Sequence, residues 1–285
     1  MNNVLQLPDL SQEYPLTLEQ IERYHQDGHL FLPGILSSEQ IAAYRPHIVE
    51  FVMQQRAKLN AADQSVGGSP ETFAFSLQNI CEPLKQLLMS KRLGKIAADL
   101  MGVNAVRVLH YYGFFKPPGG PGTSWHQDSV FLPLDTDVIT IWLPLVDVPA
   151  DVAMTFANGS QTKGFLVDLG AMGSSDDEDP IRTDMHRRGY VLDEGQALRA
   201  GDADFHCGKI VHCAPANTCN YMREVIAICY YPDGAKLTNP RAALAYPGGQ
   251  YIYMMQQHIY RNYFSHLKPG EPAISETNPI IYTHS

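Results

Sequence analysis

The chain has 285 residues, a formal net charge of −9 and five cysteines. Apolar residues make up 45% of it and charged residues 18%, which is the balance of a globular protein with a large core. The acidic charge and the lack of a lysine- or arginine-rich block exclude the nucleic-acid-binding class. No apolar run reaches the length of a membrane span and no signal-peptide pattern opens the chain, so we expect a cytoplasmic protein with reduced thiols. We also expect a single domain over residues 1–285.

The N-terminal third of the sequence carries helix signals, so we expect a helical scaffold mainly over residues 16–101. Two capping boxes, at 17–20 and 37–40, each predict the start of a helix. Residues 28–34 between them alternate and then break, which is typical of a strand. Two further segments follow in chain order, a small polar loop at 60–70 and one or two packed helices at 81–101.

The spacing of the apolar residues changes at Ala105, and short segments rich in β-branched and aromatic residues follow. These segments cover 105–116, 138–148, 153–156, 190–191, 203–205, 210–213 and 223–231. Many short strands separated by glycine- and proline-rich turns favour a sandwich or a barrel. We therefore expect a β core over about residues 103–235 and a C-terminal tail over 236–285.

Two segments allow more than one interpretation. The acidic stretch 174–180, with the basic residues that follow it, is typical of a solvated loop, but it also suits a lid that orders over a bound substrate. Those basic residues are Arg182, His186, Arg187 and Arg188. Aromatic and methionine side chains in the tail either pack back over the core or line a subunit interface; they are Tyr251, Tyr253, Met254, Met255, Tyr260 and Tyr263.

A Ser-Trp-His-Gln-Asp segment carries the strongest functional signal. Successive side chains of an extended segment alternate, so His126 and Asp128 share one face while Gln127 points away. Two such ligands need one further imidazole to complete the two-histidine, one-carboxylate triad, which binds iron(II) on one face and leaves the opposite positions open. The chain has eleven histidines, and His212 and its rival His206 are the candidates for the third ligand.

Arg223 favours His212 as that ligand. It follows His212 by 11 positions and opens an apolar strand, where an arginine needs an anionic partner and its planar fork suits a carboxylate. A dicarboxylate that chelates the metal at one end and meets Arg223 at the other fits this arrangement. His206 is then a group behind the ligands or, as we favour, a hydrogen-bonded core histidine.

Together these residues resemble the phytanoyl-CoA dioxygenase family of iron(II)/2-oxoglutarate-dependent oxygenases. The resemblance rests on His126-Gln-Asp128, His212 and Arg223, and it covers about residues 20–235. Further matching positions are Lys116–Gly119, Trp142, Asn158–Ser160 and Gly201–Asp202. One departure is Gln161, where members commonly carry a histidine that is not a metal ligand, so we expect the departure to affect only the structure of its loop.

The resemblance implies a mainly β fold with flanking helices, whose core is a double-stranded β-helix of the jelly-roll or cupin type. It implies iron(II) bound by His126, Asp128 and His212, with 2-oxoglutarate and O2 at the remaining positions. Arg223 is then the anchor of 2-oxoglutarate, and no catalytic residue is needed beyond the metal centre. The implied reaction converts 2-oxoglutarate to succinate and CO2 while it oxidises a C–H bond of a small-molecule substrate. Asp128 favours oxygenation, because halogenating relatives carry a small residue there.

Several residues are candidates for the substrate or cosubstrate pocket. His110, Tyr112, Phe114 and Lys116 alternate on the strand before the metal pair, so they share one face. Because Lys116 precedes a proline, it alternatively sits at the exposed end of that strand. Trp142 is either a wall of the pocket or a packed core residue.

Two other functions fit parts of this pattern. The same His–Asp–His set describes a catalytic zinc that activates water for hydrolysis, and a jelly roll can also be a non-enzymatic binding module. Arg223 at its spacing and the Gly201–Asp202 context favour iron over zinc. Hydroxylation of a small polar metabolite is the default expectation, while desaturation, ring formation, the substrate and the oligomeric state stay open.

Overall fold

The fold consists of two antiparallel β-sheets, with helices on the outside of the larger one. The computed structural model describes residues 7–62, 72–75, 80–165, 180–239 and 249–284. Within these ranges, no helix is both long and apolar enough to cross a bilayer. The architecture confirms the predicted mainly β fold with a double-stranded β-helix core.

The larger sheet has seven strands among the described residues. They are β1 (His29–Leu32), β2 (Thr72–Phe75), β3 (Ala105–Lys116), β5 (Ile139–Pro144), β8 (Ala203–Cys207), β10 (Arg223–Pro232) and β11 (Ile280–Thr283). Their order is β1-β8-β5-β10-β3-β11, and β2 also pairs with β3. The smaller sheet contains β4 (Thr123–His126), β6 (Thr155–Asn158), β7 (Val191–Asp193) and β9 (Val211–Ala214), in the order β4-β9-β6-β7.

The helices are α1 (Leu18–Asp27), α2 (Ser38–Ala62), α3 (Glu82–Leu88), α4 (Lys91–Met101), α5 (Pro180–Arg187) and α6 (Gly249–Ile259). The first capping box forms as predicted, because the Thr17 hydroxyl accepts from the Gln20 amide at 3.2 Å and the Gln20 side chain accepts from the Thr17 amide at 2.9 Å. The loop predicted at 60–70 is wrong for residues 60–62, since α2 continues through them. The rest of that loop, residues 63–70, lies outside the described part of the chain.

The outer face of the larger sheet forms the main apolar core. Leu30, Phe205, Ile141, Ile228 and Tyr111 lie side by side across five strands, and all of them are buried. The first four helices add residues such as Tyr24, Ile48, Leu87 and Ile96 to the same cluster. The helical scaffold therefore covers this face, and the inner face is left for the smaller sheet.

The inner face carries a row of polar side chains one position along from the apolar row, as the alternation of side chains in strands requires. His29, His206, Thr140, Cys229 and His110 are in register across five strands, and each is at most 7% exposed. Buried polar atoms need partners, so a whole row of them is unusual for a core that serves stability alone. This row forms one wall of the site described below.

Part of the C-terminal tail packs back over the β core, while Tyr253 and Met254 of the same tail are 42% and 58% exposed. Its last strand pairs with β3, and the side chain of Gln256 in α6 donates to the Val130 carbonyl at 2.7 Å. Tyr263 and Phe264 join an apolar cluster with Leu132. The tail therefore covers the segment that directly follows the predicted metal ligand Asp128.

The solvated loop expected after residue 174 is wrong for residues 180–187, which form α5. Ile181 and Met185 of this helix are buried against Trp125 on the outer face of the smaller sheet. The apolar pair is only two residues in a polar segment, so the sequence showed no clear amphipathic pattern. Residues 174–179, the other part of the considered lid, lie outside the described residues.

Candidate metal centre

Strands β4 and β9 bring two predicted metal ligands side by side. His126 lies opposite His212 in their antiparallel register, and the ring centroids are 4.2 Å apart. The strand ends at His126, and Asp128 opens a 3-10 turn after the extended residue Gln127. One ligand atom from each of the three residues lies within 4.8 Å of the others. The structure therefore brings together the three side chains that the sequence analysis selected.

Both imidazoles present the same nitrogen to the site. Nδ1 of His126 donates to the carbonyl of Ser124 at 2.7 Å, and Nδ1 of His212 donates to the carbonyl of Ile210 at 3.0 Å. A ring nitrogen that donates to a carbonyl carries the proton, so the lone pair of each ring is on Nε2. This is the orientation in which a backbone acceptor supports a metal-bound histidine.

The carboxylate of Asp128 divides its two oxygens between the site and the protein. Oδ1 lies 3.3 Å from Nε2 of His126 and 3.7 Å from Nε2 of His212. Oδ2 accepts a hydrogen bond from the hydroxyl of Thr140 at 2.6 Å. One oxygen is therefore directed towards the two free imidazole nitrogens, and the other is held by β5.

The protonation of Asp128 and His212 suits a divalent cation. Burial by itself raises the pKa of Asp128, but His212, His126 and His206 lower it more strongly, so it lies well below the usual range. Burial and the neighbouring His126 hold the pKa of His212 well below its ordinary value. A deprotonated carboxylate and a neutral imidazole are the forms that coordinate metals, so the donor set fits iron(II).

Arg223 is a buried cation at the start of β10, only 2% exposed. Its Nη1 donates to the carbonyls of Val152 and of Pro215, the latter at 3.1 Å, and its Nε has no hydrogen-bond partner among the residues that the structure describes. Among the described residues no carboxylate forms an ion pair with it, since the adjacent Glu224 pairs with Arg45 at 2.7 Å. Burial lowers the pKa of Arg223 to about 10, so it remains charged at neutral pH. A buried guanidinium without an acidic partner is a site for an anion.

Lys116 lies directly opposite Arg223 in the pairing of β3 with β10. It is 2% exposed, so the alternative placement at an exposed strand end is wrong. Its Nζ donates to the hydroxyl of Thr123 at 2.7 Å. Two cationic side chains, Lys116 and Arg223, are thus buried at this end of the larger sheet, while the 41% exposed Arg45 pairs with Glu224.

His110 lies on the inner row of the larger sheet. Its ring stands edge-on to Tyr112 with centroids 4.7 Å apart, and its Nδ1 is buried with no hydrogen-bond partner within the described ranges. Burial lowers the pKa of His110 to about 4, so the ring is neutral. Tyr112 and Phe114 follow on the same face and are partly exposed. The alternation predicted for this strand places these side chains on one face. Nδ1 of His110 is the polar atom on this face that could form a further hydrogen bond.

Trp142 lies two residues after Thr140 on β5, so both point to the inner side. It is 5% exposed and belongs to the main core, and it also lines a small cavity with His29, Phe156 and Asp204. Trp142 is thus a packed core residue, and its role as a wall of the substrate pocket stays a prediction.

His206 is both a core residue and a neighbour of the predicted metal ligands. It is 1% exposed, and its two ring nitrogens face Asp204 at 3.2 Å and Asp128 at 3.4 Å. The sequence analysis favoured a core role alone and did not select Thr140, Asp204 or His29. The sequence of β8 did carry a signal for these residues. A strand that is buried on both faces is expected to be apolar throughout, but Asp204 and His206 alternate with apolar residues in β8.

Two neighbours of the site have structural partners. Gln127 points away from the ligands as predicted, and its side-chain amide donates to the carbonyl of Gly164 at 2.9 Å. The side chain of Gln161 donates to the carbonyls of His25 and Gln26 at the end of α1, both at 3.2 Å. Gln161 thus joins its loop to a helix, which agrees with the expectation that this departure concerns loop structure.

Comparison with known proteins adds a family and several similar folds. The profile described as phytanoyl-CoA dioxygenase matches residues 24–225, and no curated protein sequence matches the chain. The non-haem alpha-ketoglutarate-dependent carbocyclase SnoK from nogalamycin biosynthesis is similar with a TM-score of 0.70 and 24% identity, over 94% of this chain and 97% of SnoK. The epimerase SnoN, solved with Fe3+, alpha ketoglutarate and nogalamycin RO, has a TM-score of 0.63 and 23% identity, over 93% and 98% of the two chains.

A third similar structure is EctD from S. alaskensis, solved with 2-oxoglutarate and 5-hydroxyectoine. It has a TM-score of 0.60 and 15% identity, and the alignment covers 84% of each chain. At these identities the three structures show a shared fold. The family profile spans 202 of the 285 residues (24 to 225) and includes all three residues of the His–Asp–His set and Arg223. The chain therefore belongs to the phytanoyl-CoA dioxygenase family.

Proposed function

We propose that the protein is an iron(II)- and 2-oxoglutarate-dependent oxygenase that oxidises a C–H bond of a small molecule. The observation that carries this proposal is the pairing of two features in one β core. One is the set of His126, Asp128 and His212 with both Nε2 atoms and Oδ1 directed towards each other. The other is the buried Arg223, which lacks an acidic partner among the described residues.

The residues of the chain have distinct tasks in this function. His126, Asp128 and His212 would hold the metal on one face, which leaves room for a chelating 2-oxoglutarate and for O2. Bound iron(II) with 2-oxoglutarate and O2 supplies the oxidising chemistry, with succinate and CO2 as co-products. Arg223 would bind the distal carboxylate of 2-oxoglutarate through its planar fork. The neutral His110 would offer its free Nδ1 to a polar group of a bound molecule.

The surroundings of the metal centre also favour a shielded reaction. The imidazole of His212 is 3% exposed, and the tail covers the segment after Asp128. Exclusion of water strengthens the attraction between Arg223 and a carboxylate, because the effective dielectric constant is lower than in bulk solvent.

A zinc hydrolase is the competing proposal from another enzyme class. It would use the same three ligands and a metal-activated water. That reaction gives no task to a buried guanidinium beside a second buried cation, Lys116, whereas a dicarboxylate cosubstrate does. The structure of Arg223 and its surroundings therefore supports the oxygenase.

The test uses the purified full-length protein without oxygen. Iron(II) and then 2-oxoglutarate are titrated, and oxygen is admitted in the presence of a panel of small metabolites that includes amino acids and phosphonates. We expect stoichiometric iron binding, binding of 2-oxoglutarate that depends on iron, and succinate formation that one class of metabolite stimulates. Activity that zinc restores and that ignores both 2-oxoglutarate and oxygen would establish the hydrolase instead. Absence of binding of either iron or 2-oxoglutarate would leave a non-enzymatic binding module.

A further inference from the structure

A chain of alternating carboxylates and imidazoles runs through the protein from the metal centre. It begins at Asp128, whose Oδ2 lies 3.4 Å from Nε2 of His206. Nδ1 of His206 lies 3.2 Å from Oδ1 of Asp204, and Oδ2 of the same carboxylate lies 2.9 Å from Nδ1 of His29. Nε2 of His29 then lies 3.5 Å from Oδ2 of Asp193. Five side chains from four different parts of the fold are connected in this way.

The three central members of this chain are deeply buried. His206, Asp204 and His29 are 1%, 5% and 7% exposed. Buried charges cost free energy unless they are paired. Apolar side chains at these strand positions would therefore stabilise the fold without that cost. The ends differ, since the side chain of Asp193 is 33% exposed and Asp128 belongs to the metal centre.

Aromatic packing holds the imidazoles of this chain in place. The ring of Phe156 stacks on His29 with centroids 4.0 Å apart and an interplanar angle of 13°. The same ring lies 5.5 Å from His206 and 5.9 Å from His212. One phenylalanine therefore restricts three histidine rotamers, and a locked rotamer is what a ligand support requires.

The contact between His206 and Asp128 joins this chain to the candidate metal centre. At 3.4 Å the contact is within ion-pair distance, and Nε2 of His206 has no hydrogen-bond partner in the described part of the chain. Thr140 already donates to the same oxygen, Oδ2, at 2.6 Å. The His206 ring approaches Oδ2 from β8 and the Thr140 hydroxyl approaches it from β5. Together they keep Oδ1 directed towards His126 and His212.

We propose that His206 is a positioning residue of the metal centre, supported by Asp204 and His29, and that it fixes the Asp128 carboxylate so that only Oδ1 faces the metal. The proposal rests on the proposed function, because it concerns the affinity of the same three ligands for iron(II). Outer partners of this kind typically change metal affinity by about 10- to 100-fold when they are removed. His206 would thus act through Asp128 without contacting the metal.

The test measures iron(II) affinity by anaerobic equilibrium dialysis, together with thermal unfolding of the metal-free protein. We expect His206→Phe to raise the Kd for iron(II) by about 10- to 100-fold. His206→Gln keeps a donor near the Nε2 position, so its Kd should stay within about threefold of the wild-type value. Asp204→Asn weakens the support of His206 and should raise the Kd by about tenfold, and it carries the test if His206→Phe does not fold.

Asp233→Asn is the control for the loss of an ion pair outside the site, and its side chain is 35% exposed. Asp233 binds the buried Arg107 at 2.5 Å on the larger sheet, away from the metal ligands. We expect this control to lower the melting temperature and to leave the Kd for iron(II) unchanged. A wild-type Kd for iron(II) in both His206→Phe and Asp204→Asn would overturn the positioning role of His206 but not the proposed function. A rise in the Kd for iron(II) of Asp233→Asn as large as that of His206→Phe would have the same consequence. A wild-type protein that binds no iron(II) would overturn the proposed function together with this inference.

Discussion

Thr140 donates a hydrogen bond from Oγ1 to Oδ2 of Asp128 at 2.6 Å, and this contact joins the centre of the larger sheet to a predicted metal ligand. Hydrogen bonds to a charged partner contribute about 1.5–3 kcal/mol. We expect Thr140→Val, which keeps the shape of the side chain, to raise the Kd for iron(II) by about tenfold while the protein remains folded. Thr140→Ser keeps the hydroxyl and should bind iron(II) like the wild type. Equal affinities of the valine and serine variants in an anaerobic titration would show that this bond does not support the ligand.

Removal of a metal ligand should abolish iron binding without loss of the fold. Asp128 and His212 contribute polar atoms at the inner side of the core, and neither belongs to the apolar clusters that hold the sheets together. We expect Asp128→Ala and His212→Ala to show no iron(II) binding by metal analysis, with the far-ultraviolet circular dichroism of the wild type. Stoichiometric iron in either purified variant would mean that the ligand set is different, and His206 would then be the next candidate.

Arg223 should determine the affinity for 2-oxoglutarate and leave iron binding unchanged. Loss of a charge-assisted, bidentate contact of about 3 kcal/mol corresponds to a rise of roughly 100-fold in the Kd for 2-oxoglutarate. We expect this rise in Arg223→Ala, and a smaller one in Arg223→Lys, which keeps the charge but not the fork. Calorimetric titration of the iron-loaded variants with 2-oxoglutarate measures the Kd for 2-oxoglutarate, and titration of the metal-free variants with iron(II) measures the Kd for iron. An unchanged Kd would move the anchor elsewhere, with the neighbouring cation Lys116 as the first alternative.

His29 should make the stability of the protein depend on pH. Burial lowers its pKa, but the charge of Asp204 and hydrogen bonds with Asp193 and Asp204 raise it to about 9 overall, above the 6.5 of an exposed histidine. A group whose pKa is higher in the folded state than in the unfolded state stabilises the folded protein. This stabilisation is complete at a pH below the unfolded pKa, and it is lost as the pH rises through the folded pKa. The difference corresponds to on the order of 3 kcal/mol.

The measurement for His29 is the free energy of unfolding in urea between pH 6 and pH 9.5. The groups that face this ring are Asp204 on β8, Asp193 on β7 and the stacked Phe156 on β6. We expect the stability advantage of the wild type over His29→Phe to shrink as the pH rises from about 6.5 to above 9. A constant advantage over this range would mean that His29 is neutral in the folded protein.

Gly208 should be intolerant of a side chain because of its position against the turn that carries Asp128. Its carbonyl accepts from the Ser129 amide at 2.8 Å, and an added Cβ would lie 2.1 Å from Oγ of Ser129 and 2.5 Å from Cγ2 of Val138. Ser129 cannot turn away freely, because its hydroxyl donates to Asp137 at 2.5 Å. We expect Gly208→Ala to cost about 1–3 kcal/mol of stability and to weaken iron(II) binding. Wild-type melting temperature and iron affinity in this variant would contradict the rigid packing.

Local patterns account for what the sequence predicted well. The capping box at Thr17 predicted α1 because it depends on residues three positions apart, and the strand expected at 105–116 has those bounds in the structure. The pairing of His126 with Asp128 also depends on neighbouring residues, since an extended backbone directs alternate side chains to one face. The family resemblance then supplied the fold that the structure confirms.

The sequence by itself determined the candidate ligands, the arginine and the β core, because each depends on a short pattern or on a motif with regular spacing. The tertiary structure alone decided which strands meet, and hence that Thr140, Asp204 and His29 lie with His206 on the inner face of the larger sheet, beside the candidate metal centre. Their positions follow from the registers of β1, β8 and β5, which pair residues as far apart as His29 and His206. Such registers are set by the burial of the apolar face of each strand in the whole fold, and no local spacing encodes them.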